Sequence, residues 1–322
     1  MNDFKWKKKG LLFNPADHDT PEWMQEFAQA PSVLVYDDYI RVYFACRPKP
    51  DENGQYLSRL GFVELDRYDL FKVKKISSKP ILELGDFGAF DEFGTYPVSV
   101  IKYENTIRAY YAGWTRCVSV PYNTSIGYAI SDNDGLTFKK YGEGPILSFS
   151  PNEPMTISGP KIRRFNNEWI MFYVAGIKWI HGISKPESVF KIRMAISEDG
   201  IEWKKLDKTI IENRLEENEC QASPDVFFKN GKYHMFFSYK YSFDFRNKDR
   251  GYRIGYASSD DLINWERNDS KSGIDVSEEG WDSEMISYSH VFELDGKIFM
   301  MYLGNQVGKQ GFGLAELVGE LK

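Results

Sequence analysis

The chain has 322 residues, 42% of them apolar and 16% aromatic, and its formal net charge at pH 7 is −6. This balance supports a globular core and argues against a broad nucleic-acid surface, which needs Lys and Arg to neutralise phosphates. Three scattered cysteines do not suit a disulfide framework or a Cys-rich zinc site, and no apolar stretch has the length of a membrane helix. The chain starts without a charged-then-apolar signal segment, so we expect a cytoplasmic protein.

Residues 1–28 precede the first of five similar units. Each unit opens with a strand start that carries proline, or histidine in the last unit, and these positions lie 63 to 66 residues apart. They are Pro31, Pro97, Pro160, Pro224 and His290. An aromatic strand and then a third apolar strand follow each start. A fixed period of this kind indicates a repeat architecture.

The fourth unit shows the local pattern most clearly. Its segment has a strand opened by Pro224, the turn Asn230-Gly231 and then an aromatic strand, which together are a strong β-hairpin signal. Five copies of a four-stranded unit predict an all-β five-bladed β-propeller as a single domain over 1–322, with a two-layer sandwich as the competing architecture. The predicted blades cover about 29–84, 91–150, 154–213, 219–274 and 282–318.

The last unit is shorter than the others. His290 and Gly313 are 23 residues apart, whereas the same interval is 30 to 33 residues in the earlier units. Its outermost strand must therefore come from elsewhere. Trp6 and the run Leu11-Leu12-Phe13 in the N-terminal segment can supply that strand and close the ring, so that no sheet edge stays exposed.

Acidic residues recur just before each strand start. In a propeller the innermost strands line a central channel, so these segments are expected to converge at one mouth. The acids are Asp17 and Asp19, Asp91 and Glu92, Glu153, Glu216, Glu217 and Glu219, and Asp282 and Glu284. Each one alone is typical of a turn, but their recurrence at one end of a ring predicts carboxylates around a pocket. Paired carboxylates are what glycosidic bond cleavage needs.

Basic and aromatic residues follow the second strand of each unit, where the chain returns to the same mouth. They include Arg47, Trp114, Arg116, Lys178, Trp179 and Lys240. Arg presents a planar fork that matches carboxylate or phosphate, which suits an anionic sugar, a sugar phosphate or inorganic phosphate. Surface solvation is the alternative for these side chains. His290 replaces the repeated proline and is expected to donate a hydrogen bond to substrate, with a packed core histidine as the alternative.

The repeat resembles that of the five-bladed propeller glycoside hydrolases, which include arabinanases, β-xylosidases, invertases, levansucrases and mannoside phosphorylases. The resemblance rests on the X-Pro strand starts, the aromatic second strands and turns such as 197–203, and it covers about residues 29–318. The Asp that usually precedes Pro in the first blade is Ala30 here, and the matching later positions are Tyr96 and Gly159. The usual catalytic set therefore does not transfer to this sequence.

The resemblance implies a carbohydrate-active enzyme that hydrolyses, phosphorolyses or transfers a glycosyl group. Glu219, followed by Cys220 as in invertases, is the predicted proton donor, and Asp91, Asp17 or Asp282 is the predicted base or nucleophile. The predicted substrate-orienting residues are Arg47, Tyr96, Trp114, Arg116, Asp225, Lys240 and His290. The alternatives are a non-catalytic propeller that binds a sugar or sugar phosphate, and a protein-interaction propeller. No cofactor, metal, nucleic acid or membrane partner is expected.

Overall fold

The computed structural model describes residues 4–182 and 185–322. The described residues form twenty strands, arranged in five antiparallel sheets of four strands each. The innermost strand of each sheet contacts the innermost strands of its two neighbours, so the sheets are arranged as a closed ring of blades. This arrangement confirms the predicted five-bladed β-propeller.

The first four blades each use four consecutive strands. Blade one contains β2 (Glu26–Val35), β3 (Tyr39–Arg47), β4 (Arg59–Asp66) and β5 (Val73–Ile76). Blade two contains β6 (Thr95–Tyr103), β7 (Thr106–Arg116), β8 (Tyr122–Ser131) and β9 (Lys139–Lys140). Blade three contains β10 (Ile157–Phe165), β11 (Glu168–His181), β12 (Pro186–Ser197) and β13 (Lys204–Lys205). Blade four contains β14 (Cys220–Lys229), β15 (Lys232–Lys240), β16 (Arg253–Ser259) and β17 (Glu266–Arg267).

The fifth blade combines the two ends of the sequence. It contains β18 (Ser287–Leu294), β19 (Lys297–Leu303) and β20 (Phe312–Gly319), and its outermost strand is β1 (Phe4–Phe13). Strands β1 and β20 run antiparallel, with Phe4 opposite Gly319 and Phe13 opposite Phe312. The N-terminal segment therefore supplies the strand that the short last unit lacks.

Short helical segments lie between some strands. They are 3₁₀ turns at Pro15–Asp17 and Asp269–Lys271 and a single helical turn at Asn305–Gly308. Within 4–182 and 185–322, no helix is long and apolar enough to cross a membrane.

Aromatic side chains fill the space between neighbouring blades. Phe13 of β1, Phe44 of β3 and Phe312 of β20 have ring centroids 5.2 to 5.9 Å apart and are almost fully buried. Rings in tilted contact at such distances contribute beyond the area they bury. These contacts hold the blade that contains the N-terminal strand against the first blade.

A glycine in the third strand of several blades leaves room for an aromatic ring. A Cβ atom at Gly313 would lie 2.3 Å from the indole of Trp281, and one at Gly127 would lie 2.5 Å from the ring of Tyr111. Such distances are far below ordinary van der Waals contact. Glycine is therefore required at these third-strand positions, because a larger side chain would clash with the neighbouring aromatic ring.

Side chains in the middle of the inner strands connect one blade to the next around the axis. Ser32, Ser99 and His290 each accept a hydrogen bond from a backbone N–H of the following blade, at 3.0, 3.0 and 3.1 Å. Asp225 does the same for the N–H of Val291 at 2.5 Å. Buried N–H groups need such acceptors because their strand ladders end at the axis.

Blade three has Lys161 at the corresponding position, and an ammonium cannot accept a hydrogen bond. The Lys161 Nζ atom lies 3.4 Å from Nδ1 of His290 and 3.4 Å from the carbonyl oxygen of Ser289. Its neighbour Arg163 pairs with the carboxylate of Asp225 and donates to the carbonyl of Val226 instead. The axis of the propeller therefore contains a buried cluster of charged side chains.

Candidate functional site

The beginnings of the inner strands surround a pocket on the propeller axis, which we call the axial pocket. Its volume is about 150 Å³, and blades two to five contribute to its walls. Its aromatic lining consists of Tyr96, Trp114, Tyr122, Phe190, Phe245, Tyr252 and Tyr288. Because the inner strands all start at this end, residues far apart in the sequence meet here.

Tyrosine hydroxyl groups converge on one side of the axial pocket. The hydroxyl of Tyr288 interacts with those of Tyr96 and Tyr252. The ring of Tyr288 lies between the other two, with its centroid about 6 Å from each of theirs. Burial raises the pKa of Tyr96 and of Tyr252 well above the usual value. These phenols therefore stay protonated at neutral pH and are available as hydrogen-bond donors.

Three smaller hydroxyl groups in the same walls have no hydrogen-bond partner among the described residues. They belong to Thr124, Ser188 and Ser223, which are at most 5% exposed. A buried hydroxyl without a partner costs free energy, typically about 1–3 kcal/mol. A ligand with several hydroxyl groups of its own can satisfy them.

A second cavity, which we call the outer cavity, lies beside the axial pocket between blades one and two. Its volume is about 270 Å³, and Trp114 and Tyr122 line both spaces. Their rings are in contact, with centroids 4.5 Å apart. Trp114 and Tyr122 therefore form a wall that the two spaces share.

Two arginines line the outer cavity. The guanidinium of Arg47 lies over the rings of Phe27 and Tyr56, at 4.5 and 5.3 Å from their centroids, and donates to Ser58 at 3.2 Å. Within the described part of the chain it forms no ion pair, and burial lowers its pKa. Arg116 lies over Phe93 at 4.3 Å and approaches Asp51 only to 4.0 Å. Both cations are therefore available to an anion in this cavity.

The axial pocket also contains one carboxylate and one ammonium group. Glu187 precedes Ser188 near the start of β12, and its nearest cation is Arg246, at 3.9 Å. Lys240 ends β15 and is 3% exposed. Among the residues the structure describes, Glu187 is the single Asp or Glu in the walls of the two spaces.

Two of the predicted base or nucleophile candidates take part in a recurring structural arrangement. Asp91 and Asp282, and also Glu153, each accept a hydrogen bond from a tyrosine on the second strand of their own blade; the donors are Tyr111, Tyr302 and Tyr173, at 2.8 to 2.9 Å. Each also pairs with a lysine of its outermost strand; these are Lys140, Lys8 and Lys205, at 2.6 to 2.7 Å. The carboxylates thus connect the inner end of each blade to its outer edge, and none of them lines the axial pocket or the outer cavity.

Glu219, the predicted proton donor, has a comparable environment in blade four. It is fully buried and pairs with Arg267 at 2.5 Å, while the N–H groups of Arg214 and Leu215 donate to it at 2.9 Å. Burial alone would raise the pKa of Glu219, but its hydrogen bond and ion pair with Arg267 hold it below its usual range. A general acid needs access to substrate, and Glu219 lines neither the axial pocket nor the outer cavity. The surroundings of Glu219 fit a structural role, and we do not retain it as the donor.

The remaining predicted residues divide into two groups. Tyr96, Trp114 and Lys240 line the axial pocket, and Arg47, Trp114 and Arg116 line the outer cavity. Asp225 and His290 belong to the buried axial cluster, where Oδ2 of Asp225 lies 3.6 Å from Nδ1 of His290, and Asp17 lies exposed in a 3₁₀ turn. These three line neither space. Within 4–182 and 185–322, His, Cys, Asp and Glu side chains form no group of three that could hold a metal ion.

Glu187, Tyr122 and Tyr252 were missed from the sequence. All three lie in or next to the long connections between second and third strands. Two signals were available: these connections are long, and they lie on the same face of the propeller as the starts of the inner strands. Neither signal indicates which of their side chains points into the pocket.

The fold places this chain among the five-bladed β-propellers. No protein-family model matches it. It is 33% identical over 313 residues to the uncharacterized protein Rv1502 of Mycobacterium tuberculosis (strain ATCC 25618 / H37Rv), which covers 97% of this chain and 99% of that protein. The chain therefore belongs to the family of Rv1502.

More distant similarities involve carbohydrate enzymes. A β-1,2-mannobiose phosphorylase of Thermoanaerobacter sp. (strain X514) is 25% identical over 178 residues, which cover 52% of this chain and 54% of that protein. A structure described as a glycoside hydrolase matches with a TM-score of 0.74 at 17% identity, covering 99% of this chain and 93% of that one. A member of the GH130 family of mannoside phosphorylases matches with a TM-score of 0.70 at 14% identity, covering 97% and 94%. The structural similarities establish the shared fold.

Proposed function

We propose that this protein is carbohydrate-active and binds one sugar ring in the axial pocket. The observation that carries the proposal is the combination of aromatic walls with the partnerless hydroxyls of Thr124, Ser188 and Ser223. Sugar rings present C–H faces to aromatic rings and hydroxyl groups to polar partners. A volume of about 150 Å³ matches a single six-membered ring, since an apolar cavity of that size binds benzene.

Trp114 is the side chain to remove first, because it lines both the axial pocket and the outer cavity. We expect Trp114→Ala to weaken sugar binding about tenfold, since one well-placed aromatic contact is worth about 0.5–1.5 kcal/mol beyond the area it buries. Isothermal titration calorimetry with glucose, mannose, galactose, arabinose, xylose and their methyl glycosides measures the effect.

Tyr68→Ala is the matched control, because Tyr68 is 83% exposed and lines neither space. It should bind every sugar of the panel as the unaltered protein does. Sugar affinities that are equal for Trp114→Ala and the unaltered protein, or a panel without any binding, would contradict the proposal.

A second candidate is phosphorolysis, and the combination of one carboxylate in the axial pocket with two arginines in the adjacent outer cavity favours it. Hydrolysis by the usual route needs two carboxyl groups, one as acid and one as base or nucleophile. Phosphate is itself a nucleophile, so phosphorolysis needs one acid. In this reaction a phosphate oxygen held by Arg47 and Arg116 bonds to the anomeric carbon as the glycosidic C–O bond breaks. Glu187 gives its proton to the leaving oxygen and later regains one from solvent.

We therefore expect Glu187→Gln to reduce phosphorolysis by at least about 100-fold, the usual contribution of a general acid. The mannobiose phosphorylase similarity suggests β-1,2-mannobiose with inorganic phosphate as the trial pair, with mannose 1-phosphate as the measured product. Glu198→Gln, which alters an exposed carboxylate beyond the same strand, is the control. An unaltered protein that binds mannobiose and phosphate but releases no product would leave sugar binding as the function.

A further inference from the structure

Lys240 is a buried amine in the wall of the axial pocket. It is 3% exposed, and its Nζ atom lies 3.8 Å from the ring centroid of Phe245 and 5.5 Å from that of Phe190. The Nζ atom donates a hydrogen bond to the carbonyl of Tyr241 at 3.3 Å and interacts with the thiol of Cys220. Its surroundings are thus mainly aromatic.

Lysines elsewhere in the propeller have different surroundings. Lys140 and Lys205, which are partly buried, each pair with a carboxylate at 2.6 Å, and buried Lys191 donates to an amide oxygen of Asn213 at 2.5 Å. Lys161 is also buried and, in the described part of the chain, has no ion pair, but it does not line the axial pocket. For Lys240, no carboxylate lies within ion-pair distance in the described part of the chain. Burying an ammonium without a counter-ion costs several kcal/mol, so its persistence at a pocket wall requires an explanation.

We propose that the sugar bound in the axial pocket carries a negatively charged substituent, a carboxylate or a phosphate ester, and that Lys240 is its counter-ion. This inference rests on the proposed sugar-binding function and specifies the class of sugar. An anionic substituent supplies the partner that the protein itself does not provide. Aromatic rings around Nζ exclude water, which strengthens the pairing.

The charged groups around Lys240 come from three neighbouring elements. Burial lowers the pKa of Lys240, and Arg246 in the connection after β15 lowers it further. The Cys220 thiol of β14 and the Glu187 carboxylate of β12 act in the opposite direction and raise it. A bound anion favours the charged amine and so raises this pKa. Where free Lys240 is partly neutral, binding an anionic sugar therefore takes up a proton, whereas binding a neutral sugar does not.

The experiment compares matched pairs by isothermal titration calorimetry: glucuronate with glucose, galacturonate with galactose, and mannose 6-phosphate with mannose. We expect the charged member of at least one pair to bind tenfold or more tightly. Lys240→Met should bring the ratio of the two affinities close to one. Lys232→Met, at the exposed start of the same strand, should keep it. Thermal unfolding of both variants shows that they are folded.

Two further measurements test whether Lys240 itself is the counter-ion and which anionic group it binds. Titrations in buffers of different ionisation enthalpy should show proton uptake with the charged sugar, and Lys240→Arg should bind that sugar without uptake because arginine stays charged. The uronates and the sugar phosphate distinguish the two sources of charge.

Equal affinities for charged and neutral sugars would overturn this inference and leave the proposed function intact. Inorganic phosphate or acetate binding as tightly as the charged sugars, and dependent on Lys240, would also overturn it, because the site would then recognise an anion alone. A complete absence of sugar binding would instead contradict the proposed function.

Discussion

Replacing Glu219 by Gln is expected to lower the free energy of unfolding by about 1–3 kcal/mol, the usual cost when a buried polar group loses a hydrogen-bond partner. Glu219 is fully buried and Arg267, its partner at 2.5 Å, has a side chain only 2% exposed. Gln cannot neutralise that guanidinium, which would keep its ion pair with Asp269 at 2.8 Å but lose the one with Glu219. Urea denaturation followed by circular dichroism measures the change.

Glu217→Gln is the matched control, since its side chain is 91% exposed and it should change stability by less than about 0.5 kcal/mol. The double variant Glu219→Gln, Arg267→Met should recover part of the loss, because it removes the buried cation that has lost one of its two carboxylate partners. A Glu219→Gln protein as stable as the unaltered one would contradict the structural role. Glu219 would then again be a candidate for the proton donor.

The same residue predicts a direction for the effect of acid. The folded pKa of Glu219 lies below its unfolded value, so its contribution to stability is present above the unfolded pKa. That contribution should disappear as the pH falls through the folded pKa.

Replacing Lys161 by Met is expected to stabilise the propeller by about 2–3 kcal/mol at pH 7. Burial lowers the pKa of Lys161 from 10.5 to about 8, despite the nearby carboxylate of Asp225. Each unit of pKa corresponds to about 1.4 kcal/mol, so the charged form is strongly disfavoured in the folded protein. Met fills a similar volume without the ammonium group, so the variant avoids the cost of burying that charge.

The pH dependence tests this explanation. Between about pH 8 and 10.5 the unfolded chain binds a proton on Lys161 that the folded protein has released, so this lysine makes stability rise with pH in that window. The advantage of Lys161→Met should therefore shrink across the window. Lys102→Met on an exposed position provides the control. A Lys161→Met protein less stable than the unaltered one at pH 7 would show that its contacts with Ser289 and His290 outweigh desolvation.

The fold was predictable because its signals are local and repeated. The Asn230-Gly231 turn, the recurring strand starts and the third-strand glycines each specify a piece of one blade, and their spacing specifies five. The short interval between His290 and Gly313 also indicated a missing outer strand, which β1 supplies. Each of these inferences needed only neighbouring residues or a fixed period.

The orientation of the carboxylates was not predictable in the same way. Asp91 and Asp282 do precede the strand starts, but Lys140 and Lys8, which lie 49 and 274 residues away, engage them outside the pocket. Whether an acidic side chain lines a pocket or forms ion pairs within its blade depends on such distant partners. Tyr96, Trp114 and Lys240 line the axial pocket because their position near strand ends brings them there, and their role in substrate binding stays a prediction.

The pairing of β1 with β20 has a consequence for synthesis of the protein. Phe4 and Gly319 are opposite each other, yet they are 315 residues apart in the sequence, so β1 is synthesised long before β20. At roughly 5–20 residues per second, the first strand emerges on the order of 15–60 s before its partner. During that time it is an unpaired edge with apolar residues on one side, so aggregation of nascent chains should be governed by how well this segment is shielded.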